Sequence, residues 1–163
     1  LLVDAWPTVR EVFPDAELHI VGSGHPESYG EIDGVRRRGY VEVLADALAP
    51  ASLFVQPSRV DTYPVSTLEA MRAGLVPLVT ETTGTRSEAR AIDPSLVVAT
   101  DTASIADGVC TYFDRSPDER RTLSEQARSR GEQFDPESRK AAFREAFMKL
   151  RKAIYSDGRE HTE

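Results

Sequence analysis

The sequence has a single cysteine, three histidines and no apolar run long enough to cross a membrane as a helix. The lone Cys110 excludes an internal disulfide framework, and no spaced set of Cys and His residues predicts a zinc site. A spanning helix needs about 20 apolar residues, whereas the longest apolar runs here have the length of buried strands. Basic residues are outnumbered, since 20 Lys and Arg against 27 Asp and Glu give a formal charge of −7. That balance does not favour nucleic-acid binding, so we expect a soluble, cytoplasmic α/β protein.

The 163 residues suffice for one globular domain with a buried core. Short apolar runs alternate with stretches of helical periodicity. The predicted strands are residues 18–21, 35–41, 52–55, 76–80 and 96–99, and the predicted helices include 42–48, 65–73 and most of 102–154. Breaks in the last stretch are expected near Pro117 and Pro136. Apolar strands separated by helices predict a Rossmann-like parallel sheet with helices on both faces, followed by a helical C-terminal region.

The first residues, from Leu1 to Trp6, already show an apolar, helix-like pattern, and no initiator methionine precedes them. Natural chains seldom begin within a secondary-structure element, so this start predicts a fragment of a longer polypeptide. We expect residues 1–155 to form the Rossmann-like domain and residues 156–163 to form a polar tail.

In a parallel sheet of this type, ligands bind at the carboxyl ends of the strands. The segments predicted to lie there are residues 22–26, 39–41, 56–67 and 80–88. The first-turn N–H groups of the helix predicted from Val65 lack intrahelical partners and favour a phosphate. Glu69, one turn inside that helix, can accept hydrogen bonds from a ribose diol, and Asp61 can accept them from the hydroxyls of a sugar. Together these features indicate a nucleotide sugar as the ligand.

Both carboxylates also have a purely structural interpretation. Residues 66–69 match the capping box Ser-x-x-Glu, in which Glu69 would only satisfy the backbone N–H of Ser66. Asp61 is equally typical of an ordinary turn residue. The spacing alone leaves these alternatives open.

The same segment resembles the signature of the retaining glycosyltransferases of group 1, the glycogen-synthase-like family four with the GT-B fold. Pro57 and Ser58 are followed by Asp61, and after seven further residues by Glu69, which begins Glu-Ala-Met-Arg-Ala-Gly-Leu-Val-Pro-Leu-Val. Three other stretches agree with that family in the same order: the strand and Gly-x-Gly loop of residues 18–26, Gly-Tyr-Val at 39–41, and Gly-x-x-x-Glu at 84–88. The resemblance covers about residues 1–150.

The resemblance implies a role for each matching position. The donor sugar would be bound by Asp61, Tyr63, Pro64 and Val65, the diphosphate by Ser66, Thr67 and Gly22, and the nucleoside by Glu69, Val41 and Tyr40. Two departures from the family pattern stand out: Asp61 replaces the commoner Glu, and Pro64 removes a backbone donor where Gly is frequent. No residue here is assigned as catalytic. The family's diphosphate-binding Arg and Lys, and the histidine near the reacting carbon, would precede Leu1.

The function implied by the resemblance is that of the C-terminal, donor-binding half of a hexosyltransferase. The whole enzyme would move a sugar from a nucleoside diphosphate to an acceptor hydroxyl with retention of configuration, using no metal or other cofactor. Its acceptor-binding N-terminal domain would be the partner in cis, and the fragment alone would be inactive. Two alternatives stay open, a module that binds a nucleotide or partner without catalysis and half of a sugar-nucleotide epimerase. Peripheral attachment to the inner membrane face through the missing half is a further alternative for localisation.

Overall fold

The computed structural model describes residues 1–157. The chain divides into two compact units, a first unit of Leu1–Gly131 and a second unit of Glu132–Glu163. Residues 156 and 157 of the predicted polar tail belong to the last helix, and the rest of that tail lies outside the described residues.

The elements alternate as the sequence predicts. The strands are β1 Leu18–Val21, β2 Val35–Gly39, β3 Leu53–Gln56, β4 Val76–Thr80 and β5 Val97–Val98. The helices are α1 Leu2–Val12, α2 Leu44–Leu48, α3 Val65–Arg72, α4 Arg86–Ile92, α5 Thr102–Phe113, α6 Pro117–Glu132 and α7 Pro136–Asp157, with 3-10 helices at Glu27–Glu31 and Pro94–Leu96. The predicted breaks near residues 117 and 136 therefore separate α5, α6 and α7.

All strand pairs are parallel, which confirms the predicted fold class. The strands form two hydrogen-bonded groups, β1-β2 and β3-β4-β5. In the larger group Leu53 pairs with Val76, and Val79 pairs with Val97. The central strand β4 is buried along its whole length, because it is apolar apart from its last residue and has a neighbouring strand on each side.

One hydrophobic core joins the two strand groups to helices α1 and α5. Its buried members include Trp6 and Val9 of α1, Val35 of β2, Leu78 of β4 and Ile105 of α5. Helix α5 approaches the sheet closely at Gly108, where an added Cβ would lie 2.8 Å from a methyl carbon of Val98. The core therefore fixes the strands whose carboxyl ends carry the predicted site.

The glycine predicted to end α3 does so. Gly74 has a positive φ of 90°, a conformation that L side chains rarely adopt. Its N–H donates to the carbonyl of Met71 at 2.9 Å, and the N–H of Leu75 donates to the carbonyl of Ala70 at 2.9 Å. These two bonds form a Schellman motif, which returns the chain from α3 directly into β4.

In the second unit, α7 carries large apolar side chains that are exposed. They follow helical spacing along one stripe, and the stripe consists of Phe143, Phe147, Leu150 and Ile154. The rings of Phe143 and Phe147 stack with centroids 6.3 Å apart.

Candidate functional site

Two loops meet at the carboxyl ends of the neighbouring strands β3 and β4. We call residues 57–64 the Asp61 loop and residues 81–85 the β4–α4 loop. An isolated parallel bridge pairs Asp61 with Thr83. The N–H of Gly84 donates to the carbonyl of Asp61 at 2.8 Å, and the N–H of Asp61 lies 3.5 Å from the carbonyl of Thr82. The backbone of Asp61 is thus held by the loop that follows the next strand.

Threonine hydroxyls at the end of β4 and in the β4–α4 loop provide a second attachment to the Asp61 loop. The hydroxyls of Thr80 and Thr82 both donate to the carbonyl of Ser58, at 2.5 and 2.8 Å. Thr80 also shares a hydrogen bond with Thr83 at 2.9 Å, and Thr82 shares one with Thr100 at 3.0 Å. Sequence reasoning placed residues 80–88 at this edge but assigned no role to the threonines. The sequence does contain a signal for these contacts, the group of four threonines at positions 80, 82, 83 and 85.

The carboxylate of Asp61 takes part in a turn. Its Oδ1 accepts a hydrogen bond from the N–H of Tyr63 at 3.2 Å, the geometry of an Asx-turn. The structural alternative for Asp61 is therefore realised, while its second oxygen has no hydrogen-bond partner in the described chain. Tyr63 is among the residues expected to bind the donor sugar, and its backbone N–H is already used in this turn.

The start of α3 excludes the capping box. Pro64 is the N-cap and the helix begins at Val65, so Ser66 is the second helical residue and no side chain caps this end. The hydroxyl of Ser66 lies 3.5 Å from Oε1 of Gln56, the last residue of β3. As first-turn residues, Val65 and Ser66 present N–H groups that have no intrahelical acceptor.

Glu69 and Thr67 lie in contrasting environments on the same helix. Glu69 is exposed, and within residues 1–157 its carboxylate forms neither a hydrogen bond nor an ion pair. Thr67 is fully buried, and its hydroxyl has no partner among the described residues. Glu69 is therefore open to a ligand, whereas a phosphate could reach Thr67 only after a local rearrangement.

The predicted diphosphate and nucleoside contacts of the β1-β2 group also lie at strand ends. The N–H of Gly22 donates to the carbonyl of Gly39 at 2.8 Å, and both glycines have positive φ, 121° and 65°. Because the chain turns at Gly39, β2 ends two residues before the predicted boundary. Tyr40 is 80% exposed and Val41 is half-buried. No hydrogen bond between described residues joins this group to α3.

Exposed apolar side chains are concentrated at these loops. In the first unit, six large apolar residues are exposed, and all except Val12 follow the carboxyl end of β2 or β3. The five are Tyr40, Val43, Val60, Tyr63 and Val65. The exposed large apolar side chains of this unit therefore lie mostly on the segments that follow the carboxyl ends of these two strands.

The glutamate of the Gly-x-x-x-Glu stretch has a structural role. Glu88 is buried, and its Oε2 accepts a hydrogen bond from Nε of Arg130 on α6 at 2.7 Å. The next residue, Gly131, lies against the end of α3, where an added Cβ would be 2.6 Å from the backbone nitrogen of Arg72. One turn of α6 thus contacts both α3 and α4.

Two surface concavities lie away from the candidate site. One, of about 500 Å³, is lined by residues around the amino ends of β1 and β2, including Arg10, Asp33 and Arg36. The other, of about 550 Å³, lies at the amino ends of β3 and β4 and includes Ser52, Leu75 and Tyr112.

Among the described residues no group of three or more His, Cys, Asp or Glu side chains could hold a metal ion. None of the described helices is long and apolar enough to span a bilayer.

Solved structures define the class to which this architecture belongs. Sucrose-phosphate synthase from Thermosynechococcus elongatus matches with a TM-score of 0.77 and 21% identity, over 93% of this chain and 43% of that chain. WaaG, a glycosyltransferase involved in lipopolysaccharide biosynthesis, gives 0.70 and 20%, over 80% of this chain and 38% of that one. The catalytic domain of cholesterol-alpha-glucosyltransferase from Helicobacter pylori gives 0.66 and 16%, over 82% and 88%. The fold is that of one Rossmann-like half of a GT-B protein.

The sequence identifies the family. Residues 1–115 match the family model described as Glycosyl transferases group 1, and the chain belongs to that family. No curated protein sequence matches it. The chain spans less than half the length of the first two solved structures, 43% and 38%.

Proposed function

We propose that this chain is the C-terminal, donor-binding half of a retaining glycosyltransferase that uses a nucleoside-diphosphate sugar. The observation that carries the proposal is the exposed carboxylate of Glu69, which has no partner among residues 1–157 and lies one turn behind the open first turn of α3. A diphosphate would accept hydrogen bonds from the N–H groups of Val65 and Ser66, where the helix dipole favours negative charge. Glu69 would accept hydrogen bonds from the ribose hydroxyls.

The remaining assignments follow the positions of the loops. The second carboxylate oxygen of Asp61 would accept hydrogen bonds from the transferred sugar, beside Tyr63 and Pro64. Gly22, which has no side chain, would let its backbone approach the diphosphate. Tyr40 and Val41 would lie against the base.

Catalysis in the whole protein would rest on charge stabilisation. Negative charge develops on the leaving diphosphate, and the first-turn N–H groups of α3 are fixed donors for it. The cationic side chains would come from a strand and loop just ahead of α1, and the acceptor site would come from an N-terminal domain of the same polypeptide. The protein would act in the cytoplasm, and the hexosyl transfer would need no metal. This chain alone would not transfer sugar, because donor and acceptor must be held together between two domains.

Saturation-transfer NMR tests the donor assignment directly, because it detects weak binding. The chain is mixed with UDP-glucose, GDP-mannose and ADP-glucose, and signal transfer to base, ribose and hexose protons is compared. We expect one donor to bind and Glu69→Ala to abolish transfer to its ribose. The matched control is Glu125→Ala, which changes an exposed glutamate of α6 and should have no effect.

Two results would contradict this proposal. One is absence of saturation transfer from all three donors, and the other is equal transfer in wild type and Glu69→Ala. Donor binding by a full-length parent that transfers no sugar would instead favour the module that binds without catalysis.

A further inference from the structure

Gly84 is a position where only glycine fits, and the obstacle is the backbone of the Asp61 loop. A Cβ added at Gly84 would lie 1.5 Å from the carbonyl oxygen of Thr62 and 2.5 Å from its carbonyl carbon. Gly84 is not among the glycines with positive φ, so its backbone conformation does not explain the need for glycine. The requirement is the close approach of the two loops.

The same contact fixes the position of Asp61. Gly84 donates its N–H to the carbonyl of Asp61 at 2.8 Å, and the threonine hydroxyls hold the carbonyl of Ser58 three residues earlier. Between these attachments only Arg59 and Val60 remain, and both are exposed. The backbone of Asp61 is therefore held directly by the loop after β4, while Ser58 is held both by Thr80 and Thr82 and by the side chain of Gln56 at the end of β3.

We infer that Gly84, with Thr80 and Thr82, positions Asp61 and thereby determines how well the site distinguishes a sugar-bearing donor from the bare nucleoside diphosphate. This inference rests on the proposed function, in which Asp61 binds the sugar while α3 and Glu69 bind the nucleotide. These residues are positioning residues, since none of them needs to touch the ligand. An alanine at position 84 must displace the Thr62 carbonyl, and the Asx-turn that joins Asp61 to Tyr63 moves with it.

The effect is expected to be selective. Glu69 and the N–H groups of Val65 and Ser66 belong to α3, whose C-terminal end is fixed independently at Gly74. Displacement of Asp61 removes a charge-assisted hydrogen bond to the sugar only. Gly84→Ala should therefore weaken binding of the nucleotide sugar by about 10-fold to 100-fold and leave the nucleoside diphosphate almost unaffected.

The test uses this chain and four variants. Gly84→Ala has Gly30→Ala as its control, because a Cβ at Gly30 meets only the Cδ of Arg37, at 3.7 Å. Thr82→Val removes one of the two hydroxyls that donate to the carbonyl of Ser58, and it adds no bulk. This variant therefore tests the positioning role even if Gly84→Ala does not fold. Its control is Thr122→Val, on an exposed turn of α6. Amide chemical shifts and hydrogen exchange of residues 58–63 are measured first, followed by titrations with the nucleoside diphosphate and its sugar conjugate.

Each outcome bears on a separate statement. We expect Gly84→Ala and, to a smaller extent, Thr82→Val to shift and deprotect the amides of the Asp61 loop, with neither control doing so. Unchanged amides in both variants would overturn the positioning role, whatever the ligand result. Equal loss of affinity for both ligands would overturn the selective effect on the sugar. Failure of the wild type to bind any nucleotide would overturn the proposed function, while the amide measurements would still decide whether Gly84 positions the loop.

Discussion

The ion pair between Glu88 and Arg130 predicts a measurable loss of stability when the cation is removed. In Arg130→Met the apolar stem is retained and the charge is lost, so the Glu88 carboxylate, only 10% exposed, is left without its guanidinium partner 2.7 Å away. Breaking a buried pair costs about 3–5 kcal/mol, and an exposed pair contributes about 0.2–1 kcal/mol. Because the Arg130 side chain is 35% exposed, we expect an intermediate loss of about 1.5–3 kcal/mol.

Urea unfolding followed by circular dichroism measures this loss, and in thermal unfolding the Tm should fall by about 3–12 °C. Arg121→Ala is the matched control, since Arg121 forms an exposed pair with Asp118 on the same helix at 3.5 Å. That variant should change stability by less than about 1 kcal/mol.

A double-mutant cycle separates the pair from other contacts of Arg130. Arg130→Met combined with Glu88→Gln should recover most of the loss, because the second change removes the unpaired buried charge. Equal losses in Arg130→Met and Arg121→Ala, or strict additivity in the cycle, would refute the reasoning.

Three further predictions concern the site and the cap of α5. Glu69→Ala should weaken binding of both nucleoside diphosphate and nucleotide sugar by about 10-fold or more, whereas Asp61→Ala should weaken chiefly the sugar conjugate. Calorimetric titration of both variants decides this, and equal losses for both ligands in both variants would contradict the roles. Thr67→Val should be neutral or stabilising by up to about 1 kcal/mol in thermal unfolding without ligand, because a buried hydroxyl without a partner is replaced by a methyl group. A clear destabilisation would contradict this reasoning, because it would mean that the Thr67 hydroxyl forms a stabilising hydrogen bond. The N–H and hydroxyl of Ser104 both donate to Asp101 at 2.8 Å, and the backbone hydrogen bond, with the side-chain bond second, lowers the pKa of Asp101 from its ordinary value of 3.8. This contribution to stability is present above that ordinary value and is lost as the pH falls through the folded-state pKa, so Asp101→Asn should flatten the acid limb of stability against pH. An acid limb as steep as that of the wild type would count against this cap.

The sequence predicted the bounds of an element correctly where a single interaction determines them. Strand β4 matches its predicted bounds because both faces of the strand are buried. Such a strand requires a continuous apolar run, and that run is visible in the sequence. The end of α3 was equally predictable, because Gly74 is needed for its positive φ. The shortened β2 shows the opposite case: three arginines weaken the strand pattern, and Gly39 turns the chain before Val41.

The site was predictable only in outline. The spacing placed Asp61 and Glu69 near the carboxyl end of β3, and the predicted helix start at Val65 is confirmed, whereas the capping-box alternative with Ser66 as the N-cap is wrong. Pro64 decides that, since its fixed φ suits the N-cap and leaves Ser66 inside the helix. The contacts from Thr80 and Thr82 to Ser58 join residues 22 and 24 positions apart. No local pattern reports such a contact, because it depends on which strands become neighbours.

The contacts of Arg130 and Gly131 have a consequence for exchanging segments between members of the family. These consecutive residues of α6 fix α4 through Glu88 and α3 through the backbone at Arg72. A transplanted segment 56–92 would carry the Asp61 loop, Glu69 and the β4–α4 loop, and yet it would leave both anchors behind. A chimera that exchanges this segment should therefore take residues 130 and 131 from the same parent as the segment.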